Sequence, residues 1–159
     1  MQLSWSGSWR GWSGPSGRIG GRQAKADARL LAALRVLMLE RVPRDPLAPE
    51  FRQGNTLGKE RRHWFRAKFG GNRFRLFFRA DSQARVIVYA WVNDRDTLRK
   101  AGAGTDPYAV FARMLANSNP PEDWPGLLAA VRMPDAVQRL GKADDQASCG
   151  GDAGEADSG

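Results

Sequence analysis

The chain of 159 residues is most informative first in what it lacks. It has one cysteine, Cys149, set in a Gly/Asp/Ala-rich stretch, so no intramolecular disulfide can form and a reducing compartment is the simplest reading. It has one histidine, His63, and with a single thiol it offers no clustered set of zinc ligands. No run approaches the ~20 apolar residues that span a bilayer. Met1 to Gly21 lacks the continuous apolar core of a secretory signal. These absences point to a cytoplasmic protein with no metal, no cofactor and no membrane partner. Lysine is scarce as well, at 5 of the 25 basic residues; a genome rich in G and C gives that bias without any function, but where the arginines cluster they offer planar forks suited to phosphate. Acidic residues are few until the end of the chain: residues 1–141 carry 24 Lys and Arg against 12 Asp and Glu, whereas 142–159 carry one Lys and five acids.

What is present centres on Trp64 to Ala80, where aromatic or aliphatic residues alternate with basic ones at the period of a half-buried strand. One face collects Phe65, Ala67, Phe69, Phe74, Leu76 and Phe78. The other collects Trp64, Arg66, Lys68, Arg73, Arg75, Phe77 and Arg79. Gly70-Gly71 predicts a two-residue hairpin turn closed by Phe69 and Asn72. That register sets Phe65 against Leu76, Ala67 against Phe74, Lys68 against Arg73 and Arg66 against Arg75. Like charges directly opposite each other cost about 0.2–1 kcal/mol per pair, which is poor for stability and useful for holding a polyanion.

A third strand is expected over Arg85 to Asn93. If Asp81 and Ala84 flank its turn, Phe78 meets Ile87, Leu76 meets Tyr89, Phe74 meets Trp91, and Arg75 lies opposite Ala90. The apolar face of this meander needs a cover. A helix over 24–42 supplies it, with Leu30, Leu34, Leu37, Met38 and Val42 on one stripe and Pro43 and Pro46 ending it. Residues 43–63 read as a long loop. Asp106-Pro107 opens a helix to about Asn117, with Tyr108, Phe111, Ala112 and Leu115 on its stripe. A short helix follows from about Trp124 to Val131. The expected organisation is a Gly/Ser/Trp-rich, poorly ordered segment (1–22), one α+β domain (23–133) whose small antiparallel sheet is packed by an N-terminal helix and C-terminal helices, and a disordered acidic tail (134–159).

The motifs Phe51-Arg-x-Gly-x-x-Leu-Gly58, His63-Trp-Phe-Arg-Ala-Lys-Phe-Gly70, Arg73-Phe-Arg-Leu-Phe-Phe-Arg79, Trp91-Val-Asn-Asp-x-x-Thr-Leu-Arg99, Asp106-Pro-Tyr-x-Val-Phe111 and Pro120-Pro-x-x-Trp124 resemble the YhaV family. These are RelE-like toxins of type II toxin–antitoxin systems. The resemblance implies an endoribonuclease that cuts mRNA, often with the ribosome, and arrests growth by inhibiting translation. It implies a PrlF-type, AbrB-like antitoxin, and operator DNA bound through the toxin–antitoxin complex. Two departures stand out: residues 1–22 do not look like the strand and helix that precede the Leu-rich helix in the family, and Gly102-Ala-Gly104 lacks a lysine associated with that position.

RNA cleavage without metal needs a base for the 2′-hydroxyl, a cation on the phosphoryl oxygens and an acid for the leaving oxygen. By motif, Arg75 corresponds to the family's active-site strand arginine and Tyr108 to a tyrosine near the last helices. Lys68 is a candidate base or clamp, against a plain phosphate contact. His63 is a candidate acid or base, against a bystander in a loop. Tyr108 reads equally as a core tyrosine. Arg61, Arg62, Arg66, Arg73, Arg79 and Arg99 are candidate RNA contacts, against a solvated basic face. The alternatives to an enzyme are a non-catalytic RNA- or ribosome-binding module, and a degenerate toxin that only binds its antitoxin.

Overall fold

The Leu-rich helix explains both its own shape and where the sheet lies. The computed structural model describes residues 2–5 and 21–132; Trp9, Trp12, the acidic tail and Cys149 fall outside that range. Helix α1 (Gly21–Val36) runs without a break into a π-helical turn (Leu37–Arg41) and a last helical turn, α2 (Val42–Arg44). The helix therefore passes through Pro43 rather than stopping before it. In the π turn the Val42 N–H bonds the Leu37 carbonyl, and the equivalent donor for Met38 would be the nitrogen of Pro43, which carries no hydrogen. The Tyr89 hydroxyl donates to the Met38 carbonyl instead, at 2.5 Å. Burial pushes the Tyr89 phenol above its ordinary pKa, so it remains a donor.

Three antiparallel strands form the centre: β2 (Phe65–Phe69), β3 (Phe74–Asp81) and β4 (Val86–Val92). A short strand β1 (Gln2–Trp5) adds in parallel at the far edge of β4, giving the order β1-β4-β3-β2. The poorly ordered reading of residues 1–22 thus gives way to a strand at these four positions, where no periodicity announced one.

The faces of the hairpin follow the alternation, but its register does not. Phe69 pairs with Phe74, Ala67 with Leu76, Phe65 with Phe78, Lys68 with Arg75 and Arg66 with Phe77. The turn spans Gly70 to Arg73, with Gly70, Gly71 and Asn72 all at positive φ (55°, 64° and 63°). Gly70 is also pressed from outside, since a Cβ there would lie 2.7 Å from the Phe74 ring and 2.8 Å from Leu30. The expected two-residue turn is displaced because Asn72 joins the glycines in the left-handed region, where short polar side chains are tolerated.

Across β3 and β4 the pairs are Ala80 with Ile87 and Phe78 with Tyr89, then, past a bulge, Phe77 with Trp91 and Leu76 with Val92. The bulge at Ala90 turns Trp91 onto the opposite face from the one expected. Arg75 consequently meets Asn93, not Ala90: the Asn93 N–H donates to the Arg75 carbonyl at 3.2 Å.

Both sheet faces are buried. On one, Leu34, Leu37 and Val42 pack on Ala67, Leu76, Phe78, Ile87 and Tyr89, with Leu30 and Met38 beside them. On the other, α3 (Pro107–Ala116) and α4 (Trp124–Val131) cover Trp64, Phe77, Val88 and Ala90. Phe77, Phe111 and Trp91 stack there, with Phe77 and Phe111 centroids 4.3 Å apart. Asp106 and Asp123 cap the two helices, each carboxylate accepting from the backbone N–H of the first turn.

The long connection from Asp45 is held by a buried glutamine. Gln53 Oε1 accepts from the Leu57 N–H and Gln53 Nε2 donates to the Arg61 carbonyl, both at 3.0 Å. Gln53→Ala leaves the buried Leu57 N–H unpaired, while the Arg61 carbonyl keeps the Trp64 N–H, and is expected to cost roughly 1–3 kcal/mol, read as a lowered urea midpoint with an unchanged slope.

Candidate active site

Helix α3 carries one residue that belongs both to the core and to a cationic cluster. The Tyr108 ring is 7% exposed and stands edge-on to Phe77, centroids 5.5 Å apart. Its hydroxyl reaches past the packed aromatics to the basic end of the hairpin. There it accepts from Arg66 Nε at 2.8 Å and from Arg75 Nε at 3.4 Å. The sequence left core and site as alternatives for this tyrosine, and the ring takes one while the hydroxyl takes the other.

Arg75 is 4% exposed, so it is not a solvated surface arginine. Its Nη1 donates to the Asn72 and Phe74 carbonyls at 2.7 and 2.9 Å, and its backbone N–H donates to Asn93 Oδ1 at 2.5 Å. The Asn72 and Phe74 carbonyls therefore fix the guanidinium while Asn93 fixes the Arg75 backbone, and Nε is aimed at Tyr108. Arg66 is held from its other side by the Glu50 carbonyl, at 2.8 Å from Nη1. Arg99 lies with its guanidinium carbon 5.3 Å from the Tyr108 ring centroid, and Arg75 at 5.9 Å.

Beside this cluster opens a cleft of about 500 Å³, lined by Arg41, Pro49, Glu50, Phe51, Arg52, Arg66, Lys68 and Asn72. Four of those are cations. The one carboxylate, Glu50, is engaged by Arg41 at 3.1 Å. Lys68 is exposed and sits directly across from Arg75 on the same face. Arg73 is exposed in the hairpin loop, and its carbonyl accepts the Arg99 N–H at 3.2 Å. A cleft of this charge beside a hydrogen-bonded phenol suits a phosphodiester.

Other nominated residues form a second group. Arg79 lies four residues along β3 from Arg75, roughly 13 Å at strand spacing. Its guanidinium carbon is 5.6 Å from the Trp64 ring and 5.0 Å from the Trp124 ring, and its Nη1 donates to the Glu122 carbonyl at 2.5 Å. Burial lowers the Arg79 pKa, opposed by Asp123, Glu122 and Asp81. Arg61 pairs with Glu122 at 2.8 Å, and Arg62 donates to Asn55 Oδ1 at 2.8 and 2.9 Å. His63 joins this group and not the Tyr108 cluster: the groups acting on it are Arg79, Glu122, Glu60 and Arg61.

Burial, then the charge of Arg79, lowers the His63 pKa below its ordinary 6.5. The folded state thus prefers neutral imidazole. This contribution is fully present above the unfolded pKa and is lost as pH falls through the lower folded value. His63→Gln is expected to flatten the fall in melting temperature between about pH 8 and 5; an unaltered slope would show that His63 does not drive it.

Residues 20–132 match a family described as "Toxin with endonuclease activity, of toxin-antitoxin system". The chain belongs to the YhaV toxin family. It is 43% identical over 106 residues to toxin YhaV of Escherichia coli O6:H1, covering 66% of this chain and 69% of that protein. It is 44% identical over 103 residues to ribonuclease toxin YhaV of Escherichia coli K12, covering 64% of this chain and 67% of that protein. No solved structure matches the chain. The family resemblance of the six motifs is thereby established, and membership in a toxin–antitoxin system implies an antitoxin. Among the described residues no helix is long and apolar enough to cross a membrane.

Within this YhaV-family chain, sequence reasoning did not single out Arg41, Arg52 or Asp106. The two arginines come from the Leu-rich helix and the long loop, far from the hairpin along the chain. An isolated arginine in a loop carries no signal of that placement. Asp106 read only as a helix cap, and its pairing with Arg99 depends on how the 99–106 loop folds back.

Proposed function

We propose that this chain cuts single-stranded RNA without a metal, with the Tyr108 cluster as the reaction centre. The observation that supports this reading most is the Tyr108 hydroxyl accepting from two guanidiniums, one of which, Arg66, also lines the cationic cleft. A hydroxyl has two acceptor sites and one proton. With both acceptor sites taken, what remains to Tyr108 is to donate. The reaction that fits is attack of the ribose 2′-oxygen on the adjacent phosphorus. A P–O2′ bond forms, the P–O5′ bond breaks, and Tyr108 gives its proton to the departing 5′-oxygen. The 2′-hydroxyl gives its proton to a base, for which Lys68, an amine on the same face, is the candidate. Arg66 and Arg75 stabilise the charge that builds on the phosphoryl oxygens. Arg41, Arg52 and Arg73 hold the flanking phosphates, and Arg99 adds its charge to the RNA site beside Tyr108.

The substrate in the cell is mRNA, engaged with the ribosome, so that cleavage inhibits translation. The partner is a PrlF-type, AbrB-like antitoxin, and the pair binds its own operator DNA. Support for these finer points is the family membership. The test is purified protein with mRNA and EDTA, with and without ribosomes, alongside induction in a bacterium with and without the adjacent open reading frame. Cleavage in EDTA and arrest rescued by the neighbour are expected. Salt-sensitive binding with intact RNA would reduce the chain to a binding module.

A further inference from the structure

We propose that Asp106 is a positioning residue of the Tyr108 centre, holding Arg99 over the Tyr108 ring while it fixes the start of the helix that carries Tyr108. This rests on the reading of that centre as an RNA-cleaving site. Asp106 is 5% exposed. Its Oδ1 accepts from the Tyr108 N–H at 3.1 Å, the ordinary task of a helix cap. Capping needs one acceptor, and asparagine or serine serves as well as aspartate. The second oxygen does something a cap does not require. Oδ2 pairs with Arg99 Nη1 and accepts from the Lys100 N–H at 2.9 Å.

The Arg99 backbone is fixed independently, its N–H donating to the Arg73 carbonyl of the hairpin loop at 3.2 Å. Arg99 is thus held at both ends, and its guanidinium is kept 5.3 Å from the Tyr108 centroid. The side chain of Arg99 stays 32% exposed while that of Asp106 is 7% exposed, so the cation still faces solvent over a buried carboxylate. One carboxylate therefore sets the position of the phenol and of a positive charge beside it. A charge fixed before the substrate arrives needs no reorganisation during the reaction.

The test uses the full chain, a labelled RNA and Asp106→Asn, which keeps size and one capping oxygen but removes the charge and the second acceptor. The expected result is a kcat lowered about 10–100-fold, the scale of a small misplacement at a reacting centre, with KM changed less and the melt still cooperative. Arg99→Gln should show a similar loss, and the double variant should be no slower than Arg99→Gln alone. Losses that multiply in the double variant, or wild-type kcat in Asp106→Asn, would overturn the proposal. If Asp106→Asn does not fold, Arg99→Gln leaves the cap intact and decides alone: undiminished kcat there also overturns it. Arg75→Ala in the same assay separates the two levels. If it cleaves normally the site itself is wrong; if it fails while Asp106→Asn and Arg99→Gln cleave normally, only the positioning role is wrong.

Discussion

Replacing Arg75 by alanine should lower RNA cleavage by about 10²–10³-fold, the scale of removing one preorganised donor from a charge-stabilising site, and should abolish growth arrest on induction. The reasoning is geometric. Arg75 directs Nε to the Tyr108 hydroxyl and anchors itself by Nη1 to the Asn72 and Phe74 carbonyls. Alanine removes the charge and one of the two donors that fix the phenol. It also takes a donor from the Asn72 carbonyl in the turn and the Phe74 carbonyl at the start of β3 and opens space at a position only 4% exposed, so a stability loss of about 1–3 kcal/mol is expected too. Arg75→Lys separates the effects. Lysine keeps the charge, but its single ammonium cannot reproduce a planar fork that serves Tyr108 and two carbonyls. It should therefore fold like the parent and still cleave far more slowly. Single-turnover cleavage beside a melting curve checks both, and wild-type turnover in a folded Arg75→Ala would remove this centre from the reaction.

How much of this was legible in the sequence depends on which physical signal carried it. The period-two alternation of Trp64 to Ala80 assigned the two faces correctly, because a register shift of two residues leaves every side chain on its own face. The register itself was wrong by that amount at both turns. Gly70-Gly71 suggests a tight turn, and only the fold shows that Asn72 also takes positive φ. At the second turn Arg85 does so (φ 54°) while Asp81 Oδ1 accepts from the Gln83 and Ala84 N–H groups. The bulge beside Trp91 has no mark in the sequence. It moves an indole from the α1 face into the stack with Phe77 and Phe111, and it brings Asn93 to Arg75. That substitution of neighbours matters for the site. An arginine beside Ala90 would have been an open cation. With its backbone on Asn93 and its guanidinium on two backbone carbonyls and the Tyr108 hydroxyl, it is a buried and oriented one.

The helices were easier to read, since each is set by local chemistry. Asp106-Pro107 opens α3 and Asp123 caps α4 through a carboxylate and a proline in the first turn. The departure is at the end of the Leu-rich helix, where Pro43 predicts a stop and the chain instead continues to Arg44. A tyrosine from the sheet supplies the missing donor, a tertiary contact that local propensity cannot contain. The basic residues divide on the same principle. Arg66, Arg75 and Arg99 gather about Tyr108 with Lys68 across the strand pair from Arg75, whereas Arg61 and Arg79 are engaged by Glu122 and two tryptophans. Both groups look alike as arginines in the sequence. Only the covering helices decide which are left facing a cleft.

Tyr108→Phe tests the chemistry rather than the architecture. Phenylalanine keeps the ring against Phe77 and the helix stripe that buries it, so the melting temperature should move little. It removes the acceptor shared by Arg66 and Arg75 and the only proton the phenol has to give. A positioned general acid contributes about 10²–10⁴-fold, and a kcat loss of that size is expected with RNA. Two explanations of such a loss differ in a second measurement. If Tyr108 protonates the leaving 5′-oxygen, an RNA analogue with sulfur in place of that oxygen, which departs readily without a proton, should be cleaved by Tyr108→Phe nearly as fast as by the parent. If Tyr108 serves only to hold the two arginines, both substrates should suffer equally, because the cations on the phosphoryl oxygens are needed for either leaving group. Arg75→Ala provides the reference for that outcome, as it should slow oxygen and sulfur substrates alike. Equal losses in Tyr108→Phe would reassign the phenol to positioning and send the search for the acid to another group in the cleft.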